Sequence, residues 1–205
     1  MIQGLGKAFL GTSALLAAGL SVLLATAPAG SVRAGEPPLS PALEELWVTL
    51  LPPVATPERS FTLARDGVEQ TITLGDLSGD VLLVNFWATW CAPCIHEMPS
   101  LDQLQADLAD EGLQVVAISV DRGGLTQIEP FFTDLRLDHL AVYLDPKGEL
   151  ARDLDVRGLP SSYLVDRNGK VVGAMQGAYD WAAEDAKALI RHYLDQPVRQ
   201  QDAAR

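Results

Sequence analysis

Val81 to Glu97 reads VLLVNFWATWCAPCIHE, and this stretch decides the fold. From Val81 to Ala88 the residues are almost continuously apolar, as a strand buried on both faces should be. After Trp90 a helical pattern takes over, and Pro93 suits a first helical turn, where its missing N–H leaves nothing unsatisfied. The chain's two cysteines, Cys91 and Cys94, stand at this junction.

A thiol is inert until it loses its proton, and a free cysteine with a pKa of about 8.5 is mostly protonated at neutral pH. A helix N-terminus supplies what is missing, because its orphan N–H groups and the positive end of its dipole favour negative charge. Cys91 therefore reads as an attacking thiolate. The i, i+3 spacing puts Cys94 one turn further on, close enough to close a small disulfide ring. So short a loop gains little from chain entropy, which suits a bond that is made and broken.

Other uses of two cysteines fit less well. A c-type haem site needs His directly after the second Cys, where Ile95 stands. A structural zinc site needs four ligands, and one Cys pair with three scattered histidines does not readily supply them. A peroxiredoxin-like peroxidase would want Thr at position 88, which is Ala. A Cu(I) delivery module built on the two thiolates is the alternative of a different class.

The chain has 205 residues, 48% of them hydrophobic, enough for one domain with a sizeable core and appendages. Its formal net charge of −12 argues against nucleic acid as a partner and is read as solubility. Outward from the central stretch, residues 1–34 read as a signal peptide. Their densest apolar run, Ala14 to Ala25, is 12 residues long and matches a signal-peptide core better than a membrane span of about 20. An uncleaved anchor through residues 8–32, which carry no charge, is the competing reading. Residues 35–59 hold six of the thirteen prolines and read as a spacer. Within it SPALEELWVTLL carries Leu43, Leu46, Trp47 and Leu50 at helical spacing, predicting a short helix laid on the domain.

Residues 60–196 follow as the main domain. FTLARDGVEQTITL predicts a hairpin about Asp66-Gly67. The active-site helix is predicted to end at Gly112, with Pro99 kinking it. Leu113 to Asp121 reads as the next buried strand, with a helix after it containing Pro130. Then come a strand over Leu140 to Leu144, a short helix over Glu149 to Leu154, a hairpin about Arg167-Asn168-Gly169 and a closing helix over Asp180 to Tyr193. Residues 197–205 are a polar tail. The alternation predicts an α/β sheet with parallel central strands.

FWATWCAPC, followed far downstream by GLPSSYLVDRNGKVVG (Gly158 to Gly173), resembles the thioredoxin superfamily. More closely, it resembles the TlpA/ResA-type thiol:disulfide oxidoreductases. The resemblance covers about Phe61 to Leu194. It implies a thioredoxin-like fold, a central mixed sheet flanked by helices, with an N-terminal β-hairpin extension. It also implies a cis proline at Pro160 facing the cysteine pair, and a substrate groove framed by Trp90, Pro93, Leu159 and Pro160. The thioredoxins proper carry a buried acid where Asn85 stands, so the resemblance points instead to Glu97 as the group that moves a proton to or from Cys94. A plainer reading of Glu97 is an acid complementing the helix dipole.

The same resemblance implies a periplasmic or extracytoplasmic protein, soluble after signal cleavage or anchored to the inner membrane. It implies reduction of disulfides in exported proteins, with apocytochrome c or a copper-site assembly protein as candidates, and an integral-membrane thiol carrier as electron donor. Oxidation or isomerisation remains open as the direction of the chemistry. A monomer without nucleotide, flavin, bound metal or other cofactor is expected.

Overall fold

The computed structural model describes residues 35–65 and 67–198. The targeting segment expected over 1–34, and all but the first two residues of the expected polar tail, lie outside the described residues. Among the described residues no helix is long and apolar enough to cross a membrane.

The apolar run becomes β4 (Val81–Trp87), in which every residue is buried. It pairs in parallel with β5 (Leu113–Ser119), which pairs in parallel with β6 (Val142–Leu144). On the other side β4 meets β7 (Ser161–Val165) antiparallel, and β7 leads by a tight turn into β8 (Lys170–Gln176). The hairpin of β2 (Phe61–Arg65) and β3 (Val68–Ile72) attaches through β2 to the free edge of β6. A further strand, β1 (Trp47–Ala55), pairs antiparallel with β8. The described sheet therefore runs β1-β8-β7-β4-β5-β6-β2-β3 and is mixed, with three parallel strands at its centre.

Alternation along β4 divides the core. Val81, Leu83 and Trp87 face one layer of apolar side chains, where α2 (Ala92–Leu108), α3 (Leu125–Leu135) and α5 (Glu184–Leu194) contribute Leu101, Leu104, Ile128, Leu189 and Ile190. Leu82, Val84 and Phe86 face the other layer, with Phe61, Tyr143 and Leu150 of α4 (Glu149–Asp153). Asn85 shares the odd-numbered face and so points toward α2.

The predicted end of the active-site helix holds, while the start of the closing helix moves. The helix α2 passes through Pro99 to Leu108, continues as a 3₁₀ turn over Ala109–Glu111 and stops at Gly112, whose φ of 94° suits a residue without a side chain. Trp181 lies before α5 and is fully buried.

The larger correction concerns the supposed spacer. Only α1 (Pro41–Leu46) is helical, capped by Ser40 Oγ accepting from Leu43 N at 3.2 Å. From Trp47 the chain turns extended and joins the sheet as β1, including a cis Leu51–Pro52 bond. The leucine spacing suggested a helix through Leu50, but Val48 and Thr49 are β-branched and Pro52-Pro53 cannot continue one. Partner geometry decides it: the Trp47 ring lies against Gly173 of β8, where any side chain would collide with it. Trp47 is thus buried within its own chain.

Candidate active site

The chain leaves β4 at Trp87 and reaches the helix through Ala88, Thr89 and Trp90. This connection is held from the neighbouring strand. Asp121, 1% exposed just past β5, accepts from Thr89 N at 2.8 Å, Thr89 Oγ1 at 2.8 Å, Ser119 Oγ at 2.9 Å and Gln127 Nε2 at 2.8 Å. Val120 N also donates to Trp87 O at 3.0 Å. Four donors around one buried carboxylate compensate its desolvation and fix the segment from which Cys91 departs.

Cys91 occupies the cap position of α2 with an extended backbone, and its carbonyl accepts the first helical bond from Ile95 N at 3.1 Å. Its sulfur therefore sits where the helix offers free N–H groups. It is joined to Cys94 by a disulfide with an S–S length of 2.08 Å and a Cα–Cα distance of 5.3 Å. Cys91 is 6% exposed and Cys94 is completely covered. Trp90 projects into solvent at 70% exposure, and Ala92 and Pro93 are exposed beside it.

Glu97 lies one turn beyond Cys94 and is 3% exposed. Its Oε1 accepts from Asn85 Nδ2 at 2.8 Å and its Oε2 from the Tyr179 backbone N–H at 3.2 Å. Burial pushes its carboxyl up to about 7, against the downward pull of the Asn85 side chain, the Tyr179 amide and the Trp181 indole. A buried acid with a midpoint near neutrality can give or take a proton under ordinary conditions. The helix-dipole reading of Glu97 assumes an exposed first-turn charge, whereas this side chain points into the core.

The second motif returns to the same end of the sheet. Ser161 registers with Phe86 and Ser162 with Asn85, so Pro160 stands at the level where β4 gives way to the cysteine segment. The Leu159–Pro160 bond is cis. Pro160 is buried, its carbonyl accepts from Gly177 N at 2.9 Å, and Leu159 is half-buried against both core layers. Asn85 Nδ2 also donates to Ser162 Oγ at 3.0 Å. Asn85, Glu97, Ser162 and the Tyr179 amide thus form one buried polar group beneath the disulfide.

Sequence reasoning missed Ser162, Tyr179 and the Asp121 clamp. Ser161-Ser162 did carry a signal, as two hydroxyls opening an otherwise apolar strand. Tyr179 contributes only its backbone, which no residue type announces. Among the described residues no cluster of three metal-ligating side chains occurs.

A mixed sheet with a Cys-x-x-Cys pair at the head of a helix and a cis proline at the adjoining strand defines a thioredoxin-like protein. The chain belongs to the AhpC/TSA family, whose model matches residues 54–174. Among curated proteins it is similar to the thiol-disulfide oxidoreductase ResA of Oceanobacillus iheyensis, 34% identical over 125 residues, 60% of this chain and 64% of that one. The match thus spans just under two thirds of that relative. Among solved structures it is similar to a thiol:disulfide interchange protein DsbE from Chlorobium tepidum, with 32% identity and a TM-score of 0.60 over 69% of this chain and 96% of that one. It is also similar to the pneumococcal exposed lipoprotein thioredoxin Etrx1 of Streptococcus pneumoniae, with 25% identity and a TM-score of 0.53 over 63% and 98%.

Proposed function

We propose that the protein is an extracytoplasmic thiol:disulfide oxidoreductase that reduces disulfides of exported proteins by dithiol/disulfide exchange. The observation that carries the reading is the Cys91–Cys94 pair at the head of α2 with the neutral-range acid Glu97 one turn below it. In the reduced protein the Cys91 thiolate attacks a substrate sulfur, forming a mixed disulfide and releasing the other substrate sulfur as thiolate. Glu97 accepts the Cys94 proton, and the Cys94 thiolate then attacks Cys91, closing the internal disulfide and expelling the second substrate sulfur. Two electrons pass to the substrate, and a membrane-embedded dithiol donor restores the reduced pair. Trp90, Pro93, Leu159 and Pro160 border the groove in which an extended substrate lies.

The likeness to ResA and to the DsbE-type structure supports exchange chemistry, and the exposed lipoprotein relative supports a place outside the cytoplasm, soluble or anchored. Cysteines of apocytochrome c or of a copper-site assembly protein are the substrates we favour, and a monomer is the working unit. Equilibration of the Cys91–Cys94 couple in glutathione buffers tests the direction. A reductant has a potential near or below that of thioredoxin, about −270 mV, while a value well above about −180 mV identifies an oxidant. Cys91→Ser tests the chemistry itself: retained electron transfer to a protein disulfide overturns the reading.

A further inference from the structure

We infer that the Asn85 side-chain amide turns over with the protonation of Glu97, so that this one residue holds the acid in both of its states. The inference deepens the exchange reading above and rests on Glu97 being the proton carrier.

Both oxygens of Glu97 face donors, Asn85 Nδ2 at Oε1 and the Tyr179 N–H at Oε2. That arrangement suits a carboxylate. A proton added to either oxygen takes the lone pair its donor leaves free, where no hydrogen-bond acceptor stands among the partners of Glu97, and an acid only 3% exposed has little solvent to turn to. The nearest remedy is on the partner itself. Asn85 Nδ2 spends both its hydrogens, on Glu97 and on Ser162 Oγ, while its Oδ1 is buried without a hydrogen-bond partner.

A half turn about the Cβ–Cγ bond exchanges the two atoms, and this terminal torsion is roughly two-fold in energy. Oδ1 then stands where Nδ2 stood. It accepts from the Glu97 hydroxyl with one lone pair and from Ser162 with the other, because a serine hydroxyl rotates freely between accepting and donating. Each orientation pairs Glu97 and Ser162 and leaves one amide atom orphaned, Oδ1 in the first and Nδ2 in the second, so the turn exchanges an unpaired acceptor for unpaired donors in return for giving the Glu97 hydroxyl an acceptor. An aspartate at position 85 would lack this freedom, since it has no hydrogens to offer a carboxylate.

The groups packed about Glu97 leave the equilibrium to this pair. Asn85 comes from β4, Ser162 from β7, the Tyr179 amide and the buried Trp181 indole from the segment before α5, and Cys94 from α2 itself, the indole being an uncharged donor that favours the carboxylate. No charged side chain is among the groups that shift the acid. In the oxidised protein neither sulfur titrates, which isolates Glu97.

The test is nuclear magnetic resonance of the oxidised full chain on either side of neutrality. The Glu97 carboxyl carbon reports its own titration, and the scalar coupling across the Asn85 Nδ2–H···Glu97 bond reports the amide. The coupling is expected at high pH and lost in step with the carboxyl titration as pH falls. Persistence of the coupling after Glu97 is protonated overturns the turnover and leaves the carrier reading standing. A Glu97 carboxyl that does not titrate near 7 overturns both. As a second arm, Asn85→Asp places two acids in one site, and the carboxyl titration is expected to split into two steps. A single step at the wild-type midpoint overturns the inference. Loss of exchange chemistry as a whole would show separately, in Cys91→Ser.

Discussion

The backbone N–H of Tyr179 reaches across 82 residues of chain to donate to Glu97 Oε2 at 3.2 Å. The same residue's hydroxyl donates to Asp185 Oδ2 at 2.6 Å, and Ser40 Oγ donates to that oxygen at 2.5 Å. The cap of α1, the start of α5 and the buried acid are therefore joined by one run of hydrogen bonds. The segment ahead of β1 is tied to the redox site rather than lying apart from it.

Glu97 gives a stability prediction with a definite sign. Its folded midpoint, about 7, lies above its unfolded value of 4.5, so the folded state binds the extra proton between those values. Stability from this group is full below the unfolded value and is lost as pH rises through 7. The loss is on the order of 3 kcal/mol. Urea unfolding of the oxidised protein at pH 5 and pH 8 should show it as a difference from Glu97→Gln, which lacks that contribution. Equal pH slopes in the two proteins would contradict the assignment.

Cys94→Ser should still attack substrate but fail to resolve, because no second sulfur remains to expel it. A mixed disulfide with the protein substrate should accumulate through Cys91, visible by mass spectrometry without reductant. Turnover should fall to background. Free, uncoupled Cys91 after incubation with an oxidised substrate would count against the assigned order.

Asp121→Ala removes the acceptor of four donors around the segment before Cys91. Leaving buried donors unpaired costs about 1–3 kcal/mol each, partly relieved by rearrangement, so a net loss of roughly 3 kcal/mol is expected in chemical denaturation. Alkylation of the reduced protein at Cys91 should also change in rate, since the residue departs from the freed segment. A variant as stable as the parent would show that Asp121 does not clamp the loop.

Gly173→Ala asks whether β1 belongs to the sheet. A methyl group there meets the indole of Trp47 and must displace it. Destabilisation of roughly 1–3 kcal/mol is expected, with loss of near-ultraviolet dichroism from the displaced ring. An unperturbed Trp47 signal would indicate that the strand is not docked.

Legibility of the chain followed the range of the forces involved. The step from β4 into α2 was readable because strand burial, the helix-start proline and the cysteine spacing all act within seventeen residues. The hairpins that pair β2 with β3 and β7 with β8 were local too. The strand after α1 was not, because its leucines fit a helix and only Gly173, more than a hundred residues away, makes room for Trp47 in a sheet. Glu97 was legible as a candidate through its position after Cys94 together with the family resemblance, which has an acid there. Its partners were not, since Ser162 and Tyr179 arrive through the β4–β7 register and a loop. Asp121 closed a strand in the sequence without any sign that Thr89 would lie against it.

The unequal depth of the two sulfurs imposes a grammar on any encounter. A visiting molecule can address only the shallower atom, and the deeper one can answer only once a bond has already been formed above it. A reagent too bulky to approach the rim at Trp90 should leave both untouched, and one that slips past it should still find a single point of entry.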